Sequence, residues 1–434
     1  MSEYQNVSNQ CVRVAPGTYS FNTGNVGDGT SFSNPKLLLF TGSNNEFIFD
    51  DVKFEYDTDI FRSFGSVEVL QFQVVGNNNT FRNLTMEDIG NTVPTRTALA
   101  ISLDGADNLI EGFHVTTRGS FPYGYGDIFG KGGGSVIGHR KHGAVQFRGD
   151  RNHLKDSEFY LRSYGHGIFI QGAEDALIEG VYVEGELRTV AEVLAEEGTG
   201  SPADDADFRT VWGYDLRDLD ENYRFSLQED GIRAYSTGVI YGTDGESRST
   251  GSVTVIDSTV KFMRSGVTIG WARGDKYVEN CTVLGTETGF WVGGDATVIN
   301  SRGDASVGPL LSEDVYRDSS TIELTLLDNV IQKIGDTPSF YLAGDRHNVT
   351  LKNGTSSYNS EIELLVGGTR VGHRWLAGSG EEPLYRGADN ITFDNQTPYP
   401  VVLGDNSDNV DVTSCGSVRD EGRNNSVSSS SNCN

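Results

Sequence analysis

The 434 residues contain no apolar run that approaches the ~18 needed to cross a bilayer, so no membrane-spanning helix is expected. Cysteine is scarce. Cys11, Cys281, Cys415 and Cys433 show no CxxC spacing, which argues against a zinc site. Positive charge is also in short supply: 34 Lys and Arg stand against 61 Asp and Glu, for a net charge of −27. That balance argues against nucleic-acid partners, because affinity for a phosphate backbone comes mostly from Lys and Arg. Any anionic substrate therefore needs a local basic cleft. The polar residues after Met1 show no signal peptide.

Glycine is abundant, at 54 residues, and it punctuates a repeat. The segments 143–149, 167–172, 266–270 and 289–293 are short strands that open and close on Gly, each followed by an acidic residue and then a second strand. Their starts lie 24 residues apart (143 to 167) and 23 apart (266 to 289). A period of this length, built from strands of about five residues, is one turn of a parallel β-helix. The expected fold is all-β: a right-handed parallel β-helix of 22–24-residue coils over residues 1–414. Residues 415–434 read as a loosely attached Ser/Asn-rich tail, whose Cys415 and Cys433 can pair in an oxidising compartment. Cys281 lies in a strand-like run and reads as a buried thiol.

Residues 186–230 break the repeat and read as an insertion walling a groove. They hold the chain's best helical stretch, from the N-cap candidate Thr189 to Gly198. A second irregular stretch, 120–134, is too glycine-rich for a strand.

Between Lys131 and His166 lie seven Lys/Arg (Lys131, Arg140, Lys141, Arg148, Arg151, Lys155, Arg162) and four His (His139, His142, His153, His166). Such density in an acidic protein points to an anion-binding cleft. Aligning the residue before each strand-opening Gly gives a column of His142, His166, Asp230, Ser265 and Thr288. This places His142 over His166, about 4.8 Å apart, with Lys141, Tyr164 and Arg148 beside them.

Such groups suit β-elimination from a 4-linked uronate. Cations neutralise the carboxylate, a base removes the C5 proton, and an acid protonates the leaving oxygen. Lys141 is flanked by Arg140, His139 and His142, cationic neighbours that favour its neutral, basic form. Tyr123, Tyr125 and Tyr164 are the nearby phenols.

Val12-Arg-Val-Ala-Pro-Gly-Thr-Tyr-Ser-Phe21 resembles the first coil of pectate-lyase-like β-helices. The run from Lys141 to Gly149, Tyr164-Gly-His166 to Gly172, and Gln228-Glu-Asp-Gly-Ile-Arg233 resemble bacterial β-helix polysaccharide lyases. The nearest group is the β-helical alginate lyases that pair a Lys with a Tyr. The resemblance implies Lys141, Tyr125, His166 and His142 as catalytic residues, with Tyr123 and Tyr164 as further phenols. Arg148, Tyr123, Lys131, Arg162, Tyr164, Glu229 and Arg233 would bind an anionic, alginate-like polysaccharide. It further implies no metal or other cofactor, no nucleic-acid or membrane partner, and a secreted or periplasmic location.

Two other readings stay open. Gly165-His166-Gly167 resembles the Gly-His-Gly of polygalacturonases, with Glu229 and Asp230 as acid/base candidates partnered by Glu186 or Asp104. A non-catalytic carbohydrate binder would use exposed aromatics such as Trp212, Tyr214, Trp271 and Trp291.

Overall fold

In the computed structural model, residues 5–26, 36–129, 137–209, 215–313, 319–334, 337–370 and 384–433 are described. Lys131, Trp212 and Tyr214 lie outside them.

Short strands stack in register and in parallel, coil upon coil, as a right-handed parallel β-helix. Two columns of strands form most of a 20-stranded sheet, and a third forms an 8-stranded sheet. In the first column His153–Lys155 pairs with Leu109–Glu111 on one side and Ala176–Glu179 on the other. In the second, Glu158–Arg162 lies between His114–Arg118 and Tyr182–Glu184. The third column carries His142–Phe147, Ile168–Ile170, Asp230–Ala234, Ser265–Thr268 and Thr288–Trp291 in succession.

Alternation along each strand sends one set of side chains inward. The interior is filled by stacked apolar residues, including Phe40, Phe47, Phe72, Phe81 and Phe113, all about 1 % exposed or less. The rings of Phe47 and Phe81 are stacked 5.1 Å apart.

The bends explain the Gly, Asn and Asp content. Between the first two columns, one corner is occupied on successive coils by Asp51, Asn83, Gly112, Asp156, Gly180, Asp257 and Asn280, all with φ between 45° and 69°. Only Gly, and to a lesser degree Asn and Asp, adopts that conformation cheaply. At Gly180 there is no room for a side chain either, since a Cβ would fall 2.3 Å from Asp156 Oδ1. A second corner carries a buried asparagine ladder. Asn45 Nδ2 donates to Asn79 Oδ1, Asn79 Nδ2 to Asn108 Oδ1, and Asn108 Nδ2 to Asn152 Oδ1, at 2.9, 3.1 and 3.1 Å.

The insertion leaves and rejoins the solenoid through a pair of antiparallel strands, Leu187–Thr189 and Arg224–Ser226. Thr189 caps the helix Val190–Leu194 in a reciprocal capping box with Glu192. The helix is shorter than the expected stretch to Gly198: beyond Leu194 the N–H groups of Glu196 and Glu197 turn to the carbonyls of Val193 and Leu194, a tighter i→i−3 pattern. The insertion packs against the segment around Gly126–Phe129, and the two irregular stretches share a small core of Tyr125, Phe129, Val190, Val193, Phe208 and Phe225.

The C-terminal residues are not a loose tail. Val418–Asp420 and Ser426–Ser429 pair with Val401–Leu403 and Asp411–Ser414, adding another coil, and Cys415 is disulfide-bonded to Cys433. Cys281 is buried, and burial pushes its thiol up to about 12.

Candidate functional site

On the outer face of the 8-stranded sheet, the actual register puts Gly143, His166, Asp230, Ser265 and Thr288 in one column. The expected column was right from His166 onward and one residue off before it. His142 pairs instead with Ala98, and a one-residue slip reverses which way a side chain points. His142 is therefore inside. It is 0 % exposed, its Nδ1–H donates to the Arg118 carbonyl at 2.6 Å, and its Nε2 is buried without a hydrogen-bond partner. Burial holds its imidazole down to about 4. A catalytic role for His142 is thus corrected, because no polymer on the surface can reach it.

The basic window likewise does not form one patch. His153, Lys155 and Arg162 lie on strands of the other two columns, and Arg151 lies just before the first of these. They pair with local carboxylates: His153 and Lys155 with Glu179, Arg151 with Asp107, and Arg162 with Glu184 and Glu186. Arg162 faces a cleft of about 820 Å³ on the flank of the insertion, which contains none of Lys141, His166 or Tyr235. Tyr123 donates to Glu186 and lines a neighbouring cleft of about 510 Å³.

Tyr125 is also misplaced by the sequence reading. It is 6 % exposed in the insertion's own core, its hydroxyl donates to Glu196, and Arg188 covers its ring. Tyr164 is fully buried and serves as a surface for others. Lys141 Nζ lies 5.6 Å from its ring centroid, and His139 packs edge-on at 4.8 Å.

What remains together is a compact cluster around His166. Lys141 Nζ is 2.5 Å from Glu229 Oε1, and Glu229 Oε2 is 3.3 Å from His166 Nε2. Arg264 grips Asp230 with two parallel bonds, Nε to Oδ1 at 3.1 Å and a terminal nitrogen to Oδ2 at 2.9 Å. Arg233 pairs with the same Asp230 at 2.5 Å and lies 4.5 Å over the ring of Tyr235. His166 Nε2 is 2.7 Å from the Tyr235 hydroxyl oxygen.

Sequence reasoning missed Tyr235 and Arg264. Tyr235 had a detectable signal: it lies two residues beyond Arg233, hence on the same face of an extended chain. It also stands in line with Arg148 and Gln171 on the preceding coils, as the backbone bonds of those residues show. Arg148, two coils from Tyr235 on the same face, lies 3.8 Å from Asp104 on the coil before it.

The electrostatics follow from burial and pairing. Burial alone would raise the Glu229 carboxyl, but His166, Lys141 and Arg264 outweigh it and bring it down to about 2. Burial is likewise overcome at Asp230, where Arg264 and Arg233 hold the carboxyl well below the ordinary range. Both carboxylates are locked as anions. Burial pushes the His166 imidazole down to about 4, against the pull of Glu229 and Asp230, so it is neutral near pH 7. Burial also lifts the Tyr235 phenol to about 12, with Arg233 opposing.

The neutral His166 has a defined tautomer. Its Nδ1 accepts the Asp230 backbone N–H at 3.2 Å, so its own proton sits on Nε2 and points at the Tyr235 oxygen. The Tyr235 hydroxyl hydrogen is then left to donate elsewhere. Among the described residues, no group of three or more His, Cys, Asp or Glu is arranged to hold a metal ion.

No family model matches the sequence, and no curated protein does. Solved structures do. One is a PL6 alginate lyase in complex with a trisaccharide, with TM-score 0.58 and 13% identity over 97% of this chain and 84% of that one. Another is the catalytic domain of a GH87 α-1,3-glucanase in complex with nigerose, with TM-score 0.41 and 10% identity over 99% of this chain and 64% of that one. A third is PfbA, a surface adhesin of Streptococcus pneumoniae, with TM-score 0.25 and 11% identity over 87% of this chain and 84% of that one. The likeness to the first, spanning nearly the whole chain, shows a shared parallel β-helical fold.

Proposed function

We propose that the protein is a polysaccharide lyase that cleaves an alginate-like polyuronate by β-elimination on the outer face of the 8-stranded sheet. The observation that carries this reading is the His166–Tyr235 hydrogen bond set among Lys141, Arg233 and Arg264. Arg233 and Arg264 share the single Asp230 carboxylate, two guanidinium groups to one anion. That surplus attracts a uronate carboxylate and makes its C5 proton more acidic.

In the proposed step Lys141, in its neutral form, takes the C5 proton. The electron pair forms the C4–C5 double bond, the C4–O bond breaks, and Tyr235 protonates the departing glycosidic oxygen. The His166 Nε2–H bond stabilises the resulting phenolate. The proton gained by Lys141 then returns to Tyr235 through solvent, restoring both groups. Lys141 thus keeps the role read from the sequence, while Tyr235 takes the one given to Tyr125. Arg148, further along the face, is a contact for a neighbouring sugar.

The hydrolase alternative is less well supported. A two-carboxylate mechanism needs one carboxyl held protonated near neutral pH. Glu229 is brought down to about 2 and Asp230 is held well below the ordinary range, so neither is suited to that part. The Cys415–Cys433 disulfide supports a secreted or periplasmic setting.

The test is to incubate the protein separately with alginate, polygalacturonate and hyaluronate, following ultraviolet absorbance of the unsaturated uronate alongside reducing ends. Rising absorbance with alginate that Lys141→Ala abolishes is the expected result. Reducing ends without that absorbance would replace the lyase by a hydrolase.

A further inference from the structure

Two indoles on the same face are not used by this chemistry. Trp291 follows Arg233 and Thr268 in one column of the 8-stranded sheet, two coils or about 10 Å along the stack from Arg233. Its six-membered ring lies against Gly270: a Cβ there would fall 2.9 Å from each of Cε3, Cζ3 and Cη2. Trp271, the next residue in the chain, is 53 % exposed and meets Trp291 with ring centroids 5.1 Å apart at 61°. Gly270 thus lets one indole lie on the backbone while the other stands up beside it, making an open aromatic corner. In the adjoining column, Ser265 and Thr288 continue the line of His166 and Asp230 with small hydroxyls in place of charges.

A lone exposed aromatic needs no explanation. Two in contact, one of them in the column of the cationic cluster, form a surface suited to the C–H face of a pyranose ring. We propose that Trp271 and Trp291 form a sugar-stacking subsite that holds the same polyuronate chain at a residue other than the one being cleaved. This rests on the polysaccharide-lyase reading and extends it along the groove. Aromatic stacking contributes binding that is equal in ground state and transition state, so its loss raises KM and spares kcat.

The experiment uses the full chain carrying Tyr235→Phe to prevent turnover, titrated calorimetrically with alginate, polygalacturonate and hyaluronate hexasaccharides. Trp271→Ala in that background is expected to weaken binding of the preferred hexasaccharide about tenfold, with Trp271→Phe restoring most of it and an alginate disaccharide insensitive to either. On otherwise native protein, Trp271→Ala is expected to raise KM for the polymer and leave kcat within about twofold. Unchanged hexasaccharide affinity in Trp271→Ala overturns the subsite, as does a protein that binds none of the three glycans. Binding that depends on Trp271 without any unsaturated product in the native protein overturns the lyase reading and leaves the subsite standing.

Discussion

The Tyr235 hydroxyl oxygen lies 2.7 Å from His166 Nε2, and the Asp230 backbone N–H on His166 Nδ1 fixes the direction of that bond. The imidazole donates and the phenol oxygen accepts, so the phenol proton is directed away from the histidine. A phenol lifted to about 12 keeps that proton at any ordinary pH and is an acid in waiting.

Tyr235→Phe is therefore expected to lower kcat by about 10² to 10⁴, the usual contribution of a positioned proton donor. Binding of oligosaccharide should persist, since the ring and its contact with Arg233 are retained. Initial rates by ultraviolet absorbance, with a calorimetric titration on the same protein, check both halves.

His142 and His166 should respond oppositely to the same change. His142→Ala opens a cavity and removes the donor to the Arg118 carbonyl, at a cost of about 2–4 kcal/mol. Turnover measured well below its lowered melting temperature should stay near native. His166→Ala should melt closer to the native temperature and lose turnover. Thermal melts and initial rates on the two variants would refute the observed register if the pattern came out reversed.

Asp88 gives a pH signature of the interior. It is fully buried beside His142, and burial pushes its carboxyl up to about 7 against hydrogen bonds from Arg118 N–H and Gln71. The folded state holds this proton more tightly than the unfolded chain does. The associated stability is thus full below the ordinary value of 3.8 and is lost as pH rises through about 7. Asp88→Asn removes that dependence, and Gln71 can turn its amide to suit the new partner. The melting temperature of Asp88→Asn relative to native protein should climb between about pH 4 and pH 7 and level off above.

Chelator treatment should leave cleavage intact, because Arg233 and Arg264 already supply the positive charge needed at a uronate carboxylate. Activity lost in EDTA and restored by Ca²⁺ would show that those cations are insufficient.

The solenoid was legible in the sequence because its causes are local. Gly, Asn and Asp recur where the backbone must take positive φ, and short apolar alternations recur between them. The cluster was legible only in part. Counting from Gly143 to Gly167 gives 24, whereas the ladder advances by 23 there, pairing Val145 with Ile168. A strand-opening glycine marks a bend and does not number the coil, and that single residue is the difference between His142 on the surface and His142 in the core. Tyr235 escaped for a different reason. Its partner His166 is 69 residues away, across the whole insertion, and no sequence-local rule measures that distance. Tyr125 looked available because it sits in a glycine-rich stretch, but that stretch finds its partner in the insertion and buries the ring.

The asparagine ladder from Asn45 to Asn152 bears on how the molecule comes apart. A stack of coils touching only their neighbours can in principle melt one coil at a time. Asn45, Asn79 and Asn108 each donate to the next while nearly fully buried, so removing Asn79 or Asn108 takes one hydrogen bond from a buried amide on each adjoining coil. The ladder thereby links four successive coils, which are expected to protect their amide hydrogens together. The His166 column begins where the ladder ends, on the coil of Asn152, so the proposed catalytic face is built directly upon those linked coils.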